Sequence, residues 1–189
     1  FEGIKCIVPN GIRSKNLVVV QKLQKGIKCC EDITKSVTSL DMFSGNESIA
    51  ELPTNHIKFL LLPFMLGKLW QLKTDKERKD ICVASQIYFQ DFLQRLFDYG
   101  IIQSMPAVME QDPDKKKAME LSSNDVRAHK IALMKANKAL DSKIRALFDR
   151  QKADDETDDE TSRELFLSVI QRSKNEAVQE LESISKEIE

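Results

Sequence analysis

The chain has 189 residues, enough for one domain whose hydrophobic core needs no disulfide or metal to be stable. Lys and Arg total 29 and Asp and Glu total 30, so the formal net charge is −1, which argues against a general nucleic-acid-binding protein. Only 6 Gly and 5 Pro accompany 31% charged residues, a composition that is typical of long amphipathic helices and unfavourable for an all-β sandwich.

The few cysteines and histidines do not form a metal-binding pattern. No Cys-x-x-Cys pair occurs, and both histidines lie far from the cysteines in sequence, so we predict reduced cysteines, no metal and no cofactor. The longest apolar stretch, residues 59–67, is interrupted by Pro63 and is much shorter than the ~20 residues that a membrane-spanning helix needs. We therefore expect a soluble protein of the cytoplasm, with the nucleus as a second location.

Apolar residues at steps of three and four predict the first long helix, over residues 14–40, after a short helix in residues 1–8. Residues 43–53 contain Gly45, Asn46 and Pro53 and are predicted to form a loop. The apolar positions of the long helix are Leu17, Val20, Leu23, Ile27, Cys30, Ile33, Val37 and Leu40.

Two further helices are predicted before residue 100. One runs over residues 54–73, with Thr54 as its N-cap and a kink at Pro63. The next follows a capping box, in which Thr74 and Glu77 each bond the other's free backbone amide, and ends near Gly100. The residues predicted to face the core from this helix are Ile81, Ala84, Ile87, Tyr88, Phe92, Leu93 and Leu96.

The last two helices form the C-terminal part of the chain. Residues 101–122 contain two prolines and a charged run and are predicted to be a connecting loop. A long helix follows, capped by Ser123 and reaching about Gln151, and Thr157 with Glu160 forms a second capping box for the last helix. We predict one all-α domain of about six antiparallel helices in tetratricopeptide-like hairpins, although no fixed repeat period is present.

No established catalytic motif occurs in the sequence. A phosphate-binding loop, a Gly-x-Ser-x-Gly elbow and a His-Glu-x-x-His pair are all missing. His129 could act as a general base, but it lies at the edge of an apolar stripe, where a structural role is more common. We predict that the chain is not an enzyme.

Charge is segregated between the last two helices. Residues 124–152 contain 8 basic and 3 acidic residues, whereas residues 153–189 contain 12 acidic and 4 basic residues. At about 100° per residue, the basic residues include a narrow row beside the apolar stripe of the fifth helix. The members of that sector are Arg127, Lys130, Met134, Lys138, Arg145 and Lys152, and the stripe comprises Val126, Leu133, Leu140, Ile144 and Leu147.

This pattern leaves three interpretations open. Opposite charges could pair across the last two helices, where exposed pairs contribute below ~1 kcal/mol each. The row could instead dock onto an acidic protein surface. A nucleic-acid strip is the weakest interpretation, since the row lacks interleaved aromatic residues and the whole chain is almost neutral.

Four sequence runs resemble one known family. Residues 40–47 read Leu-Asp-Met-Phe-Ser-Gly-Asn-Glu, and residues 54–64 read Thr-Asn-His-Ile-Lys-Phe-Leu-Leu-Leu-Pro-Phe. Residues 127–131 read Arg-Ala-His-Lys-Ile, and residues 158–164 read Asp-Asp-Glu-Thr-Ser-Arg-Glu. Together these runs resemble the alpha-four, or two-A-phosphatase-associated, protein family, which includes proteins like immunoglobulin-binding protein one.

The resemblance implies a non-catalytic, chaperone-like regulatory subunit in TOR-linked signalling. It would bind and stabilise catalytic subunits of type 2A and related protein phosphatases. The family's basic pair, Arg-x-x-Lys, matches Arg127 and Lys130, and helical geometry adds Lys138 and Arg145. We expect a monomer with no nucleic-acid or membrane partner. The alternative is a general helical-repeat scaffold for acidic peptides or other protein partners.

Overall fold

The computed structural model describes residues 17–44, 47–110, 123–153 and 158–188, and these residues form helices without a β-strand. The helix predicted in residues 1–8 and the capping residue Thr157 lie outside the described residues, as does the side chain of Ser123. The α-helices are α1 (Leu17–Ser39), α2 (Thr54–Ile57), α3 (Leu62–Gln71), α4 (Arg78–Asp98), α5 (Ser123–Ala153) and α6 (Asp159–Ile188), with 3₁₀ helices at Lys58–Leu61 and Ala107–Met109.

The helices pack in the order α1, α3, α4, α6 and α5. Helix α4 lies in the middle of this order because it is apolar on two adjoining sides, one against α3 and the other against α6. Its aromatic residues Phe89 and Phe92 are fully buried, and both contact Phe64 of α3 at ring-centroid distances of 5.9 and 5.4 Å. The same core includes Ile170, Ala177, Leu181 and Ile184 of α6.

A second apolar cluster holds α1 against α3. Ile27, Cys30 and Val37 of α1 are buried at the spacing that the sequence predicted, and they belong to one cluster with Leu62, Leu66 and Leu69. The predicted helix over residues 14–40 is therefore confirmed within the described residues, where it spans Leu17–Ser39. The predicted end of α4 near Gly100 is also confirmed, because Gly100 has a φ of 69°, in the left-handed region that glycine adopts without strain.

The predicted core face of α4 is partly wrong. Ile87 was placed in the core, but its side chain is 60% exposed, whereas Cys82, Ser85 and Phe89 are buried instead. The face defined by Ile81, Phe92 and Leu96 is correct. The error arises because α4 also has apolar residues, such as Val83 and Ile87, outside the two sides that α3 and α6 cover, so that periodicity alone cannot select the buried sides.

Two predicted helix caps are also wrong. Pro53, not Thr54, is the N-cap of α2, and the Thr54 hydroxyl donates a hydrogen bond to Asp159 Oδ2 of α6 at 2.9 Å. Glu77 is the N-cap of α4, which has no side-chain capping hydrogen bond, so Thr74 and Glu77 do not form a capping box. The Thr54 hydroxyl bonds a residue that is distant in sequence, and local sequence rules cannot predict such a partner.

Pro63 does not kink a continuous helix as predicted. The 3₁₀ helix Lys58–Leu61 separates α2 from α3, and Pro63 lies in the first turn of α3. A proline is tolerated there because its missing N–H would have had no partner within the helix. The helices of the described residues include no segment that combines the length and the hydrophobicity of a membrane span.

Candidate protein-binding face on helix α5

Helix α5 is at one end of the packing order, and α6 is its main neighbour. The side chains directed toward α6 include the half-buried Leu133 and Leu140 and the buried Leu147. The first turns have much less cover, since every described residue from Asp125 to Ala132 is exposed. Val126 was predicted to belong to the buried stripe but is 37% exposed, because the contact with α6 does not reach it fully.

The four residues predicted to bind a protein partner lie on the outer side of α5. Arg127, Lys130, Lys138 and Arg145, which we call the basic row, are all exposed. They fall within a sector of about 80° at about 100° per residue. The row is roughly 27 Å long at a rise of about 1.5 Å per residue. None of its side chains forms an ion pair with another residue that the structure describes.

Opposite charges do pair between α5 and α6, but through other residues. Lys143 Nζ lies 2.8 Å from Glu164 Oε1 at one edge of the helix contact. Arg172 Nε lies 3.1 Å from Asp141 Oδ1 at the other edge. These ion pairs therefore do not involve the basic row, whose cations remain accessible to another molecule.

Two apolar side chains accompany the cations in the first half of the basic row. Met134 is 67% exposed and Ile131 is 43% exposed. Met134 was part of the sector identified from sequence, whereas Ile131 was not assigned to it, although its position four residues after Arg127 was a usable signal. Arg and Met are enriched in protein interfaces, whose centres exclude water from the charges that they contain. At the other end of the sector, Lys152 lies 4.7 Å from the centre of the Phe148 ring on its own helix.

An acidic residue that the sequence analysis counted but did not place in this sector lies there as well. Asp141 is three residues after Lys138 and four residues before Arg145, and its side chain is 49% exposed. The position of Asp141 in the sector can be calculated from the sequence by the same rule of about 100° per residue. Its partner Arg172 cannot be predicted in this way, because Arg172 belongs to a different helix.

The histidines and cysteines that the structure describes do not gather into one cluster. No group of three or more His, Cys, Asp or Glu side chains among the described residues could hold a metal ion. His129 is exposed on α5 and forms no hydrogen bond or ion pair with a described residue. Cys30 and Cys82 are buried, and burial is the main cause that raises the pKa of both thiols, so they are poor nucleophiles. The exposed cations of the basic row, by contrast, fit an electrostatic contact surface.

A model of the TAP42-like family matches residues 8–189, which is almost the whole chain. The chain belongs to the TAP42-like family. This finding confirms the resemblance that the four sequence runs had indicated.

Relatives of this TAP42-like chain include named regulatory proteins. The Caenorhabditis elegans serine/threonine-protein phosphatase 4 regulatory subunit ppfr-4 is 29% identical over 178 residues, which cover 88% of this chain and 52% of that protein. The Arabidopsis thaliana PP2A regulatory subunit TAP46 is 29% identical over 198 residues, covering 90% of this chain and 45% of that protein. The human immunoglobulin-binding protein 1 family member C is 25% identical, covering 95% and 54%. The chain thus spans about half the length of these relatives.

A solved structure has the same fold. The chain described as "The Structure of Tap42 Alpha4 Subunit" superposes with a TM-score of 0.68 and 22% sequence identity, covering 100% of this chain and 94% of that one. At this identity the similarity establishes the fold alone. The prediction of an all-helical protein is confirmed.

Proposed function

We propose that this TAP42-like chain is a non-catalytic regulatory subunit that binds and stabilises catalytic subunits of type 2A and related protein phosphatases. The observation that carries the proposal is the basic row, in which four exposed cations on one face of α5 have no ion-pair partner among the described residues. The names of the relatives, which include regulatory subunits of PP2A and of phosphatase 4, give the class of partner.

The proposed contact is electrostatic at its centre. Arg127 and Lys130 are three residues apart, so both side chains can reach carboxylates of one acidic segment of the phosphatase. Ile131 and Met134 lie beside them and can exclude water when the partner docks. Removing one partner of a charge pair that is desolvated in an interface costs about 2–5 kcal/mol, because the other charge remains buried and unpaired.

Sequestration is the mechanism that this contact supports. The catalytic subunit would be held by α5 and α6 outside its other assemblies and protected while it is held. A monomeric regulator of this kind belongs in the cytoplasm, with the nucleus as a second location, and in TOR-linked signalling. The resemblance of the four sequence runs supports these parts of the proposal.

The first prediction concerns the pair Arg127 and Lys130. The variant Arg127→Glu/Lys130→Asp should lower the affinity for purified type 2A catalytic subunit at least 30-fold, since about 2 kcal/mol or more is lost for a disrupted interface charge pair. Biolayer interferometry with the immobilised chain measures this affinity. Helical content and melting temperature should stay almost unchanged, because both residues are exposed.

The matched control is Lys22→Glu/Lys25→Asp on α1. Lys22 and Lys25 are also exposed and have the same spacing, so this variant makes the same change in net charge away from the basic row. It should bind the phosphatase like the native chain. Equal losses in both variants would contradict a specific role of the basic row. Failure of the native chain to bind would leave the alternative, a helical scaffold for other acidic partners.

A further inference from the structure

A continuous series of charged contacts runs from Asp141, which lies in the sector of the basic row, across α6 to Lys68 of α3. Asp141 of α5 accepts a hydrogen bond from Arg172 Nε of α6 at 3.1 Å, and Arg172 Nη1 donates to Glu176 Oε2 at 3.3 Å. Glu176 is also 2.9 Å from Lys68 Nζ of α3. Side chains of α3, α5 and α6 therefore form one network, which ends at Asp141 in the sector of the basic row.

Asp141 has two other possible partners, both of them members of the basic row. Lys138 precedes it by three residues and Arg145 follows it by four, and both spacings allow ion pairs on a helix surface. An acidic residue that precedes a basic residue by four positions has the more favourable orientation with respect to the helix dipole. Without Arg172, the carboxylate of Asp141 would therefore neutralise cations of the basic row.

Arg172 is well placed to prevent this. Its side chain is only 29% exposed, less than that of Asp141, and Glu176 on the next turn of α6 orients the guanidinium. Glu176 is in turn held by Lys68, whose side chain is 21% exposed. Arginine keeps its charge at all relevant pH values and presents several donors in a fixed plane, so it can hold both carboxylates at once.

We infer that Arg172 is a positioning residue for the binding face, which holds Asp141 and so leaves Lys138 and Arg145 free for an acidic partner. This inference rests on the proposed function, because it concerns how the same site is kept ready. It adds a residue on α6 that does not belong to the basic row but controls the effective charge of the row.

A double-substitution experiment tests the inference. Arg172→Gln should weaken binding of the type 2A catalytic subunit about fivefold, the scale of one moderately exposed charge interaction. Asp141→Asn should bind as well as the native chain or better, because it removes the only acidic residue from the sector between Arg127 and Arg145. In the double variant Asp141→Asn/Arg172→Gln, the affinity should return to the native value, since the carboxylate that Arg172 restrains is gone.

The rescue distinguishes positioning from two simpler roles. If Arg172 contacted the phosphatase directly, or only stabilised the packing of α6 on α5, the double variant would bind as weakly as Arg172→Gln, and the inference would be overturned. Unchanged affinity of Arg172→Gln would overturn it as well. The matched control is Lys143→Gln, which breaks the Lys143–Glu164 pair, with both side chains 49% exposed, at the other edge of α5 and should leave binding unchanged.

A second probe separates this inference from the proposed function. Poly-L-glutamate is an acidic polymer that reports the accessible positive charge of the row without any phosphatase. If the phosphatase does not bind the native chain but poly-L-glutamate shows the same order of affinities, the proposed function fails and the role of Arg172 stands. The opposite outcome is that Arg127→Glu/Lys130→Asp abolishes phosphatase binding while Arg172→Gln changes the affinity for neither the phosphatase nor poly-L-glutamate. In that case the proposed function stands and the role of Arg172 fails.

Discussion

At the scale of single residues, Gly67 decides how closely α3 approaches α4. A Cβ atom at this position would lie 2.7 Å from Cε1 and 2.9 Å from Cδ1 of Phe89. Phe89 is fully buried and contacts Phe64, so its ring cannot move away freely. Glycine within a helix costs about 1 kcal/mol relative to alanine. The short distance between α3 and α4 at Phe89 nevertheless requires glycine at position 67.

Gly67→Ala should lower the free energy of unfolding by about 1–3 kcal/mol, the usual cost of overpacking a core. Urea denaturation followed by circular dichroism measures this change. The matched control is Gly26→Ala on α1, where the nearest side-chain atoms, of Leu69, would lie 3.9 Å away, in ordinary contact. It should raise the free energy of unfolding by about 0.5–1 kcal/mol. Equal stabilisation by both substitutions would disprove the proposed conflict with Phe89.

At the scale of elements, α6 is held to the N-terminal part of the chain by side chains at its start, further along it and at its end. Arg163 donates hydrogen bonds to the carbonyl oxygens of Ile49 and Leu52, the second at 2.9 Å. Lys68 reaches the middle of α6 at Glu180, 2.7 Å away, and Arg78 donates to Glu187 at its end. Helix α5 depends on α6 for its position, so these contacts also fix the position of the basic row.

Arg163→Met should lower the free energy of unfolding by about 1.5–3 kcal/mol. The reason is that hydrogen bonds with a charged donor are stronger than neutral ones, and the substitution leaves two carbonyl groups beneath α6 without their donor. Urea denaturation again measures the change.

The comparison variant is Arg78→Met, which breaks the more exposed pair with Glu187. The side chains of Arg78 and Glu187 are 57% and 41% exposed, so water can replace the lost contact and the destabilisation should be clearly smaller. A larger loss in Arg78→Met than in Arg163→Met would contradict this ranking of the contacts.

At the scale of the whole molecule, folding stabilises the protonated forms of several side chains. Burial opposes the charge on Lys68, but hydrogen bonds to Glu180 and Glu176 outweigh it, so the pKa of Lys68 is raised. Burial is the main cause that raises the pKa of the Cys30 thiol and of the Tyr99 hydroxyl. In each case the folded chain keeps a proton that the unfolded chain releases at lower pH. Stability from these groups is therefore complete below the unfolded pKa and is lost as the pH rises.

The free energy of unfolding should consequently fall as the pH rises above about 8.5, the ordinary pKa of a thiol, and further above about 10, where tyrosine and lysine side chains ionise in the unfolded chain. Urea denaturation at about pH 7, 9, 10.5 and 11.5 in the presence of a reductant measures this slope. Lys68→Met should be less stable at pH 7 but should lose less stability between about pH 10.5 and 11.5, because the contribution of Lys68 is lost only above the ordinary lysine pKa of about 10.4. A free energy of unfolding that is constant or rises over this range would contradict the assignment.

The sequence by itself determined the helical class, the extent of α1, the end of α4 at Gly100 and the outward position of the basic row. These features depend on local rules, since a helix repeats every 3.6 residues and a glycine after its last turn can adopt the left-handed conformation that ends it. The row could be found because Arg127 and Arg145 are on one helix. Its role as a phosphatase contact stays a prediction.

Only the tertiary structure decided which side of α4 is buried, what Thr54 bonds and how Asp141 is restrained. Thr54 bonds Asp159, 105 residues away, and Asp141 bonds Arg172 on another helix. Ile87 is exposed because α3 and α6 cover the other sides of α4. Periodicity fixes the angle of a residue on its own helix but not the helix that lies opposite. Contacts between distant residues depend on how whole helices pack, and this packing decides which partner restrains Asp141 beside the basic row.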